Sequence, residues 1–298
     1  AMGSPLPHLT HLELIDIYNL YNDAVAHIAR HCKKLTHLTL DGAAHVSSEA
    51  LEALGEYCPG LTHLSVARCT KIRDRGVAGL ARGCTALTSL NLFQCHRVSS
   101  IACLKACSLT ELDISGVTQV TEGELRELLV GGAGKSMTRL VLDGCIGLGG
   151  GALAVVAGTC PGLRVLRLSR VMDVQDAALS ALSTLCHGLT SLALVWCSNV
   201  TDAGVGAVLA ANPGLQELEI EGCYQLTDAT LSCLAACCPD LHILNIRLCH
   251  CMTAAGILVA VSGTRITALH VSGVMGEAAT SGLVARVRAV RPHAKLYY

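Results

Sequence analysis

This 298-residue chain contains seventeen cysteines and thirteen histidines, the residue types in it with the most varied chemistry. Cys237, Cys238, Cys249, His250 and Cys251 lie close together, and thiolates with imidazoles are the ligands that zinc prefers. Their spacing lacks the C-x-x-C pairs of structural zinc sites. Cys238 and Cys249 also occupy positions that recur along the chain as core cysteines, where a free thiol acts as a small apolar residue. We therefore predict core packing here and no metal site.

Three histidines, His11, His37 and His63, each stand in a Leu-Thr-His-Leu sequence and recur at intervals of 26 residues. Such a ladder could bind a transition metal or form a pH-sensitive surface. A metal would need the rings turned toward a common point and a fourth ligand, for which the sequence gives no candidate. We favour the alternative, in which one exposed position has been copied with its repeat.

Catalytic motifs are absent from the sequence. It contains no G-x-x-x-x-G-K-[ST], G-x-S-x-G or H-E-x-x-H pattern. Residues 131–136, with the sequence GGAGKS, resemble the end of a phosphate-binding loop. They lie between a predicted helix and the next strand, however, which is the reverse of the order that such a loop needs. We predict that the protein is not an enzyme and needs no cofactor.

A recurring pattern, L-x-x-L-x-L-x-x-C, predicts the strands and helices that position these residues. Its intervals are 26 residues, except 22 from Leu87 to Leu109, 28 from Leu109 to Met137 and 25 from Leu241 to Ile266. The first leucine position of the repeat is occupied by Leu9, Leu35, Leu61, Leu87, Leu109, Met137, Leu163, Leu189, Leu215, Leu241 and Ile266. Eleven copies at one period predict a stack of similar units.

Each copy predicts one strand followed by one helix. Residues 61–66 alternate apolar and polar side chains, as a half-buried strand does. Thr201 and Asp202 can cap a helix start, and Thr121 with Glu124 has the spacing of a capping box. Pro-Gly pairs such as Pro59-Gly60 then end the helices. Strand–helix units stacked sideways place parallel strands on one face and helices on the other.

The composition limits the kinds of partner and the cellular compartment that we expect for this protein. The formal net charge is −1 and only 15% of the residues are charged, which gives no reason to expect nucleic acid or an acidic membrane surface as a partner. No apolar run approaches the ~18 residues of a membrane span. An odd number of cysteines without a secretory signal predicts reduced thiols. We therefore predict a cytoplasmic or nuclear location.

With its repeat pattern, its regularly spaced cysteines and its Thr-Asp turns, the sequence resembles the cysteine-containing class of leucine-rich repeats, found in F-box substrate receptors and antagonist-of-mitotic-exit-network proteins. The Thr-Asp turns at 201–202 and 227–228 contribute to the likeness. So do two sets of cysteines, Cys69, Cys95, Cys145, Cys197, Cys223 and Cys249 after the strands and Cys32, Cys58, Cys84, Cys160, Cys186 and Cys238 before them. The resemblance implies an α/β leucine-rich-repeat solenoid, a horseshoe of about 11 repeats of 26 residues, with the parallel β-sheet on its concave face and helices on its convex face.

Residues 1–4 resemble the remnant of a cleaved tag, and residues 5–298 are predicted to form a single leucine-rich-repeat domain. Both ends resemble interrupted repeats, and 293–298 resembles a twelfth strand. We therefore expect a domain excised from a longer protein. No segment outside the repeats is long enough for an F-box. The resemblance thus implies contact with a ubiquitin-ligase (SCF) adaptor only through a region outside this chain.

The positions just after the third apolar residue of each strand are predicted to face the hollow of the horseshoe. The single Phe and single Trp of the chain, Phe93 and Trp196, fall there, as do Val195 and Leu248. Because Trp is enriched at binding hot spots, we predict that another protein contacts a surface centred on Trp196. The alternative is that each ring only packs on its neighbours across the sheet.

Charged side chains surround this position. Arg139, Arg167, Arg170 and Arg247 supply positive charge, and Glu217, Glu219 and Glu221 form an acidic stripe. Opposite charges on one face favour orientation and choice of partner, although they are equally compatible with a self-satisfied ion-pair surface. The leading function is protein recognition, within it the substrate-receptor part of an F-box-type ubiquitin ligase. The alternatives are a structural scaffold in a ciliary, cytoskeletal or other large complex, and a receptor that seats an inositol phosphate or small molecule on Arg139, Arg167 and Arg170.

Overall fold

The computed structural model describes residues 8–171, 173–273 and 280–298. The chain forms two compact units, Ala1–Leu148 and Gly149–Tyr298, which are taken in turn below. In both, short parallel strands alternate with helices along the sequence.

The described part of the first unit contains six strands. They are β1 (His11–Glu13), β2 (His37–Thr39), β3 (His63–Ser65), β4 (Ser89–Asn91), β5 (Glu111–Asp113) and β6 (Arg139–Val141). The α-helices are α1 (Asn22–His31), α2 (Ser48–Tyr57), α3 (Asp74–Gly83), α4 (Glu122–Leu128) and the short α5 (Gly134–Ser136). A 3₁₀-helix at Ala102–Ala106 replaces the α-helix in the 22-residue repeat, and a π-helical turn at Leu129–Ala133 takes up the insertion in the 28-residue repeat.

The described part of the second unit also contains six strands. They are β7 (Val165–Arg167), β8 (Ser191–Ala193), β9 (Glu217–Glu219), β10 (Ile243–Asn245), β11 (Ala268–His270) and β12 (Lys295–Tyr297). Its helices are α6 (Gly150–Thr159), α7 (Asp176–Leu185), α8 (Asp202–Ala211), α9 (Asp228–Cys237), α10 (Ala254–Gly263) and α11 (Thr280–Val290). The strand predicted within 293–298 is therefore present as β12.

The repeat sets the register of the strands. In the first unit His37 is the partner of His63, and Leu38 of Leu64, so equivalent residues of successive repeats lie side by side. The middle leucine is buried in β2–β6 and half-buried in β1, and its two neighbours are turned to the opposite face, as strand alternation requires. The predicted α/β leucine-rich-repeat solenoid is confirmed, although its strands are three residues long and shorter than the six-residue pattern.

The repeat cysteines pack in the core and also donate hydrogen bonds. The thiol of Cys69 lies 3.2 Å from the carbonyl oxygen of Leu40 in the preceding repeat, and that of Cys95 lies 3.3 Å from Val66 O. In the second unit Cys223 and Cys249 repeat the contact with Leu194 and Ile220. Burial raises the pKa of the Cys69 thiol to about 12, so it stays protonated and unreactive. These cysteines therefore join one repeat to the next, as core residues.

Helix starts confirm the predicted caps and add a contact between repeats. The Thr201 and Thr227 hydroxyls accept the backbone N–H groups of Ala203 and Ala229. The capping-box prediction was half wrong. Thr121 accepts the N–H of Glu124, but the Glu124 carboxylate accepts N–H groups of the preceding 3₁₀-helix, at 2.8 and 2.9 Å.

Candidate functional site

The predicted site residues divide between the two units. Phe93 and Arg139 belong to the first unit. Phe93 is half-buried, with its N–H donating to Asn91 Oδ1 at 2.9 Å, and Arg139 is exposed beside Glu111 in the neighbouring strand. The second unit holds the other nine, Trp196, Val195, Leu248, Arg167, Arg170, Arg247, Glu217, Glu219 and Glu221. We call the outward-facing residues of β7–β12, with the turn residues that follow these strands, the sheet face of the second unit.

Trp196 lies in a tight turn rather than in the strand. Its φ is 63°, in the left-handed region, and the equivalent residues of other repeats also have positive φ, including Gly42, Gly222 and Gly273. Left-handed backbone is unfavourable for residues with a Cβ, which explains why five of these turn positions in the chain are glycine. That run of glycines was the signal, missed in the sequence, that this position is a turn.

The indole of Trp196 packs on the next repeat. It covers the Cα of Gly222 so closely that a Cβ built there would lie 2.8 Å from two ring atoms. Its ring meets Tyr224 edge-on, with centroids 5.8 Å apart at 72°, and Tyr224 stacks in parallel with His250, also at 5.8 Å. Trp196 is half-buried, Tyr224 is 40% exposed and His250 is exposed. These three rings form a row, here called the aromatic row.

The sequence analysis considered His250 only as a zinc ligand and did not consider Tyr224, although both stand in one position of consecutive repeats, 26 residues apart. Val195 and Leu248 lie half-buried close to this row in sequence, and the Leu248 side chain covers Gly273 as Trp196 covers Gly222. The apolar side chains of the row thus pack against their neighbours and still leave edges open to solvent. The interpretation that each ring packs on its neighbours across the sheet is therefore confirmed, whereas contact with a partner protein stays a prediction.

The three glutamates of the acidic stripe are bound by other side chains of the sheet face of the second unit. Arg167 and Glu219 form a two-pronged ion pair, with N–O distances of 2.6 and 3.3 Å, and about a quarter or less of each side chain is exposed. The pair spans β8 above the buried Ala193. Glu217 accepts from Ser191 Oγ at 2.7 Å, and Glu221 from Asn245 Nδ2 at 3.0 Å. An anion seated on Arg167 would have to displace Glu219.

Two other arginines carry positive charge on this face. Arg170 is exposed at a left-handed turn position, and Arg247 is half-buried next to His270. Burial lowers the pKa of the His270 imidazole, and the Arg247 charge lowers it further. The His270 ring also stacks on Tyr297 at 4.3 Å. At neutral pH His270 is therefore uncharged, and the arginines supply the positive charge beside the aromatic row.

In the first unit the predicted histidine ladder is present. His37 stacks on His11 and on His63, with ring centroids 4.0 Å apart in both cases, in a groove of about 290 Å³. Thr36 donates its hydroxyl proton to Thr10 O at 3.0 Å and also lies 2.9 Å from His37 Nδ1. Parallel stacking of these rings turns none of them toward a shared metal.

The ladder makes the first unit sensitive to acid. Burial, followed by the charges of His63 and His11, lowers the pKa of His37 below its ordinary value of 6.5. Above pH 6.5 both folded and unfolded chains are neutral at His37. As the pH falls below 6.5 the unfolded chain binds the proton first, so the free energy of unfolding decreases until the folded pKa is reached. We expect a loss of less than about 1 kcal/mol, because the ladder is open to solvent.

Proton NMR titration of the imidazole signals, with denaturant unfolding at each pH, checks this expectation. His37→Phe keeps a stacked ring and removes the titration, so its stability should change less between pH 7.5 and 5.5 than that of the unmodified chain. Titration of His37 at or above 6.5 would contradict the argument.

The described ranges 8–171, 173–273 and 280–298 contain neither a metal-binding cluster nor a membrane-spanning helix. No group of three or more His, Cys, Asp or Glu residues is arranged there to hold a metal ion. None of the helices there combines the length and apolarity needed to cross a membrane.

Comparison with known proteins agrees with the geometry. The family model described as "Leucine Rich repeat" matches residues 57–81. No curated protein matches the chain. A chain in the crystal structure of the yeast Rad7 and Elc1 complex is similar, with a TM-score of 0.69 and 20% identity, over 97% of this chain and 80% of that one.

Two further solved structures are similar. The leucine-rich-repeat-containing protein LegL7 from Legionella pneumophila has a TM-score of 0.51 and 14% identity, over 99% of this chain and 97% of its own. The TLR13–ssRNA13 complex has a TM-score of 0.54 and 16% identity, over 90% of this chain and 36% of that one. With the repeated strand–helix units and the family match to one repeat, these likenesses show that the chain has a leucine-rich-repeat fold.

Proposed function

We propose that this protein is a protein-recognition module and that its partner contacts the sheet face of the second unit around Trp196. The observation that carries the proposal is the aromatic row, in which Trp196, Tyr224 and His250 line the ends of consecutive strands and keep exposed edges. Aromatic side chains fixed by neighbours lose little conformational entropy on binding, and Trp and Tyr are the residue types most enriched at hot spots.

The charges beside the row suit orientation of a partner. Arg170 is exposed, while Arg167 already pairs with Glu219. A partner with acidic side chains near an apolar anchor would therefore find its opposite charge at Arg170 and Arg247. Charges at the rim of an interface increase the association rate more than the final affinity. The ring contacts, and not the arginines, are expected to hold the complex.

A finer role as the substrate-receptor part of an F-box-type ubiquitin ligase rests on two supports. One is the likeness of the repeat cysteines to that class of receptor. The other is the similarity in fold to a chain of the Rad7 and Elc1 complex, itself an assembly of two proteins. Co-purification of an adaptor subunit with the full-length natural protein tests this role, which predicts that the adaptor is retained when the aromatic row is mutated.

The substitution Trp196→Gly tests the role of the ring in partner binding separately from its role in stability. Neighbouring repeats have Gly222 and Gly273 in the same left-handed turn, so glycine there relieves about 1 kcal/mol of backbone strain. This relief should roughly offset the lost contact of the indole, and the free energy of unfolding should change by no more than about 1 kcal/mol. Loss of a hot spot should weaken partner binding by about 30-fold or more. Quantitative mass spectrometry of proteins captured from lysate at graded concentrations of the immobilised chain measures this.

The matched control is Val259→Ala, which removes a 47%-exposed apolar side chain from helix α10. It should leave capture unchanged. If Trp196→Gly captures the same proteins with undiminished affinity, or if it unfolds the chain, the ring has a packing role and the proposed surface is wrong.

A further inference from the structure

Helix α9 carries two neighbouring thiols outside the repeating cysteine positions. Cys233 and Cys237 lie one helical turn apart, with their Sγ atoms separated by 3.9 Å, and both side chains are half-buried. The Cys233 thiol also lies 3.7 Å from the carbonyl oxygen of Gly206 on α8. The two sulfurs are thus held side by side and remain partly open to solvent.

This pair is not explained by the packing of the repeat. The equivalent positions are Ala207 and Ala211 in α8, so the helix interface forms without thiols there. The next residue, Cys238, is a repeat-core cysteine with its Sγ 3.6 Å from Leu209 O. Burial raises the pKa of Cys238 to about 12, so it is an inert core thiol.

The sulfur separation fits one shared metal ion. With metal–sulfur bonds of about 2.3 Å, two thiolates on one ion lie between roughly 3.8 Å apart at a tetrahedral angle and 4.6 Å apart in a linear arrangement. A disulfide fits the helix less well. It needs Cβ atoms about 3.8 Å apart, whereas residues four apart on a helix have Cβ atoms about 5–6 Å apart.

We propose that Cys233 and Cys237 form a binding site for one soft monovalent metal ion, Cu⁺. Soft thiolate ligands select Cu⁺, which binds two of them in a near-linear arrangement, whereas structural zinc sites need four ligands. The two partly exposed sulfurs must therefore move from 3.9 Å to about 4.6 Å apart when the ion binds. Among the described residues no cluster of three or more His, Cys, Asp or Glu supplies more ligands. On binding, each thiol releases its proton to the buffer and both sulfurs donate a lone pair to the ion, with no change in oxidation state.

Proton release makes the affinity depend on pH. Burial raises the pKa of the Cys233 thiol to about 11, and the neighbouring Cys237 thiol adds to the shift. Because metal must displace the thiol protons, binding should tighten as the pH rises, by up to about 100-fold per pH unit when two protons leave.

Anaerobic titration of the full chain with Cu⁺, in competition with a chromophoric Cu⁺ chelator, tests the site. The unmodified chain should retain one equivalent of ion, and Cys233→Ala and Cys237→Ala should each bind it at least 100-fold more weakly. Alanine already occupies both positions in α8, so these variants should fold, which circular dichroism checks. Controls are Cys251→Ser, which removes an exposed thiol, and Cys103→Ser, which removes another half-buried one.

Both control variants should bind Cu⁺ as the unmodified chain does. Retention of the ion by Cys233→Ala, or its loss in Cys251→Ser or Cys103→Ser, would overturn the assignment. A parallel titration with Zn²⁺ should show much weaker binding. Equally tight binding of one Zn²⁺, lost in Cys233→Ala, would show that the site has further ligands and is not the two-thiol site proposed. None of these results depends on a protein partner, so the site and the proposed function stand or fall separately.

Discussion

Gly55→Ala is expected to destabilise the first unit by about 3 kcal/mol or more. Gly55 is buried in α2 where α3 crosses it, and an added Cβ would overlap the carbonyl oxygen of Gly79 and lie 3.0 Å from its carbonyl carbon. Backbone atoms cannot rotate aside as a side chain does, so the helices must separate. The overpacking exceeds the ~1 kcal/mol that alanine gains over glycine inside a helix.

Denaturant unfolding followed by circular dichroism measures the effect. Gly158→Ala is the matched control, because Gly158 is an exposed glycine of α6 with no atom within 4 Å of its built Cβ. There the same change should stabilise by about 0.5–1 kcal/mol. Similar small effects from both substitutions would show that α2 and α3 can separate at little cost and would contradict the argument.

The fold was predictable because the same pattern of apolar residues and cysteines occurs in every repeat. The 26-residue period fixes the positions of Leu38, Leu64 and Cys69, and the structure buries all three. The stacking of His11, His37 and His63 was also readable, since equivalent residues of parallel strands in register become neighbours.

The candidate site was less predictable, because its geometry depends on contacts between different repeats. Trp196 was recognisable as an unusual residue, but the left-handed turn that aims its ring across Gly222 is a property of the backbone. Pairing of Arg167 with Glu219 skips a strand and depends on the small Ala193 between them. A pattern within one repeat cannot show which of several nearby charges a flexible side chain will meet.

The Thr-Asp turn shows the same limit. The sequence predicts that Asp202 supports the start of its own helix, but its carboxylate also reaches the next repeat. It accepts the N–H of Thr227 at 2.9 Å and the Thr227 hydroxyl at 2.7 Å, with two more bonds from the buried Thr230. Asp176 and Asp228 make the equivalent contact with Thr201 and Thr253. This ladder of carboxylates joins successive helices.

Asp202→Ala is accordingly expected to destabilise the second unit by about 3–5 kcal/mol. It leaves the donors of the buried Thr230 and of the half-buried Thr227 without their acceptor, and each unsatisfied buried donor costs about 1–3 kcal/mol. Chemical denaturation measures the loss. Asp240→Ala removes an ion pair with Arg265 in which the side chains are 48% and 71% exposed, and it should cost less than about 1 kcal/mol.

Acid should reproduce part of the Asp202 effect in the unmodified chain. Burial raises the pKa of the Asp202 carboxyl, but the hydrogen bonds from Thr227 and Thr230 outweigh it and hold the pKa below its ordinary value of 3.8. The contribution of Asp202 is therefore complete above about pH 3.8 and is lost as the pH falls from there through the folded pKa. The stability gap between the unmodified chain and Asp202→Ala should narrow over that interval, while the gap to Asp240→Ala stays small throughout. If the gap to Asp202→Ala is already below about 1 kcal/mol at neutral pH, the carboxylate is not what joins the helices, and hydrophobic packing alone carries the contact.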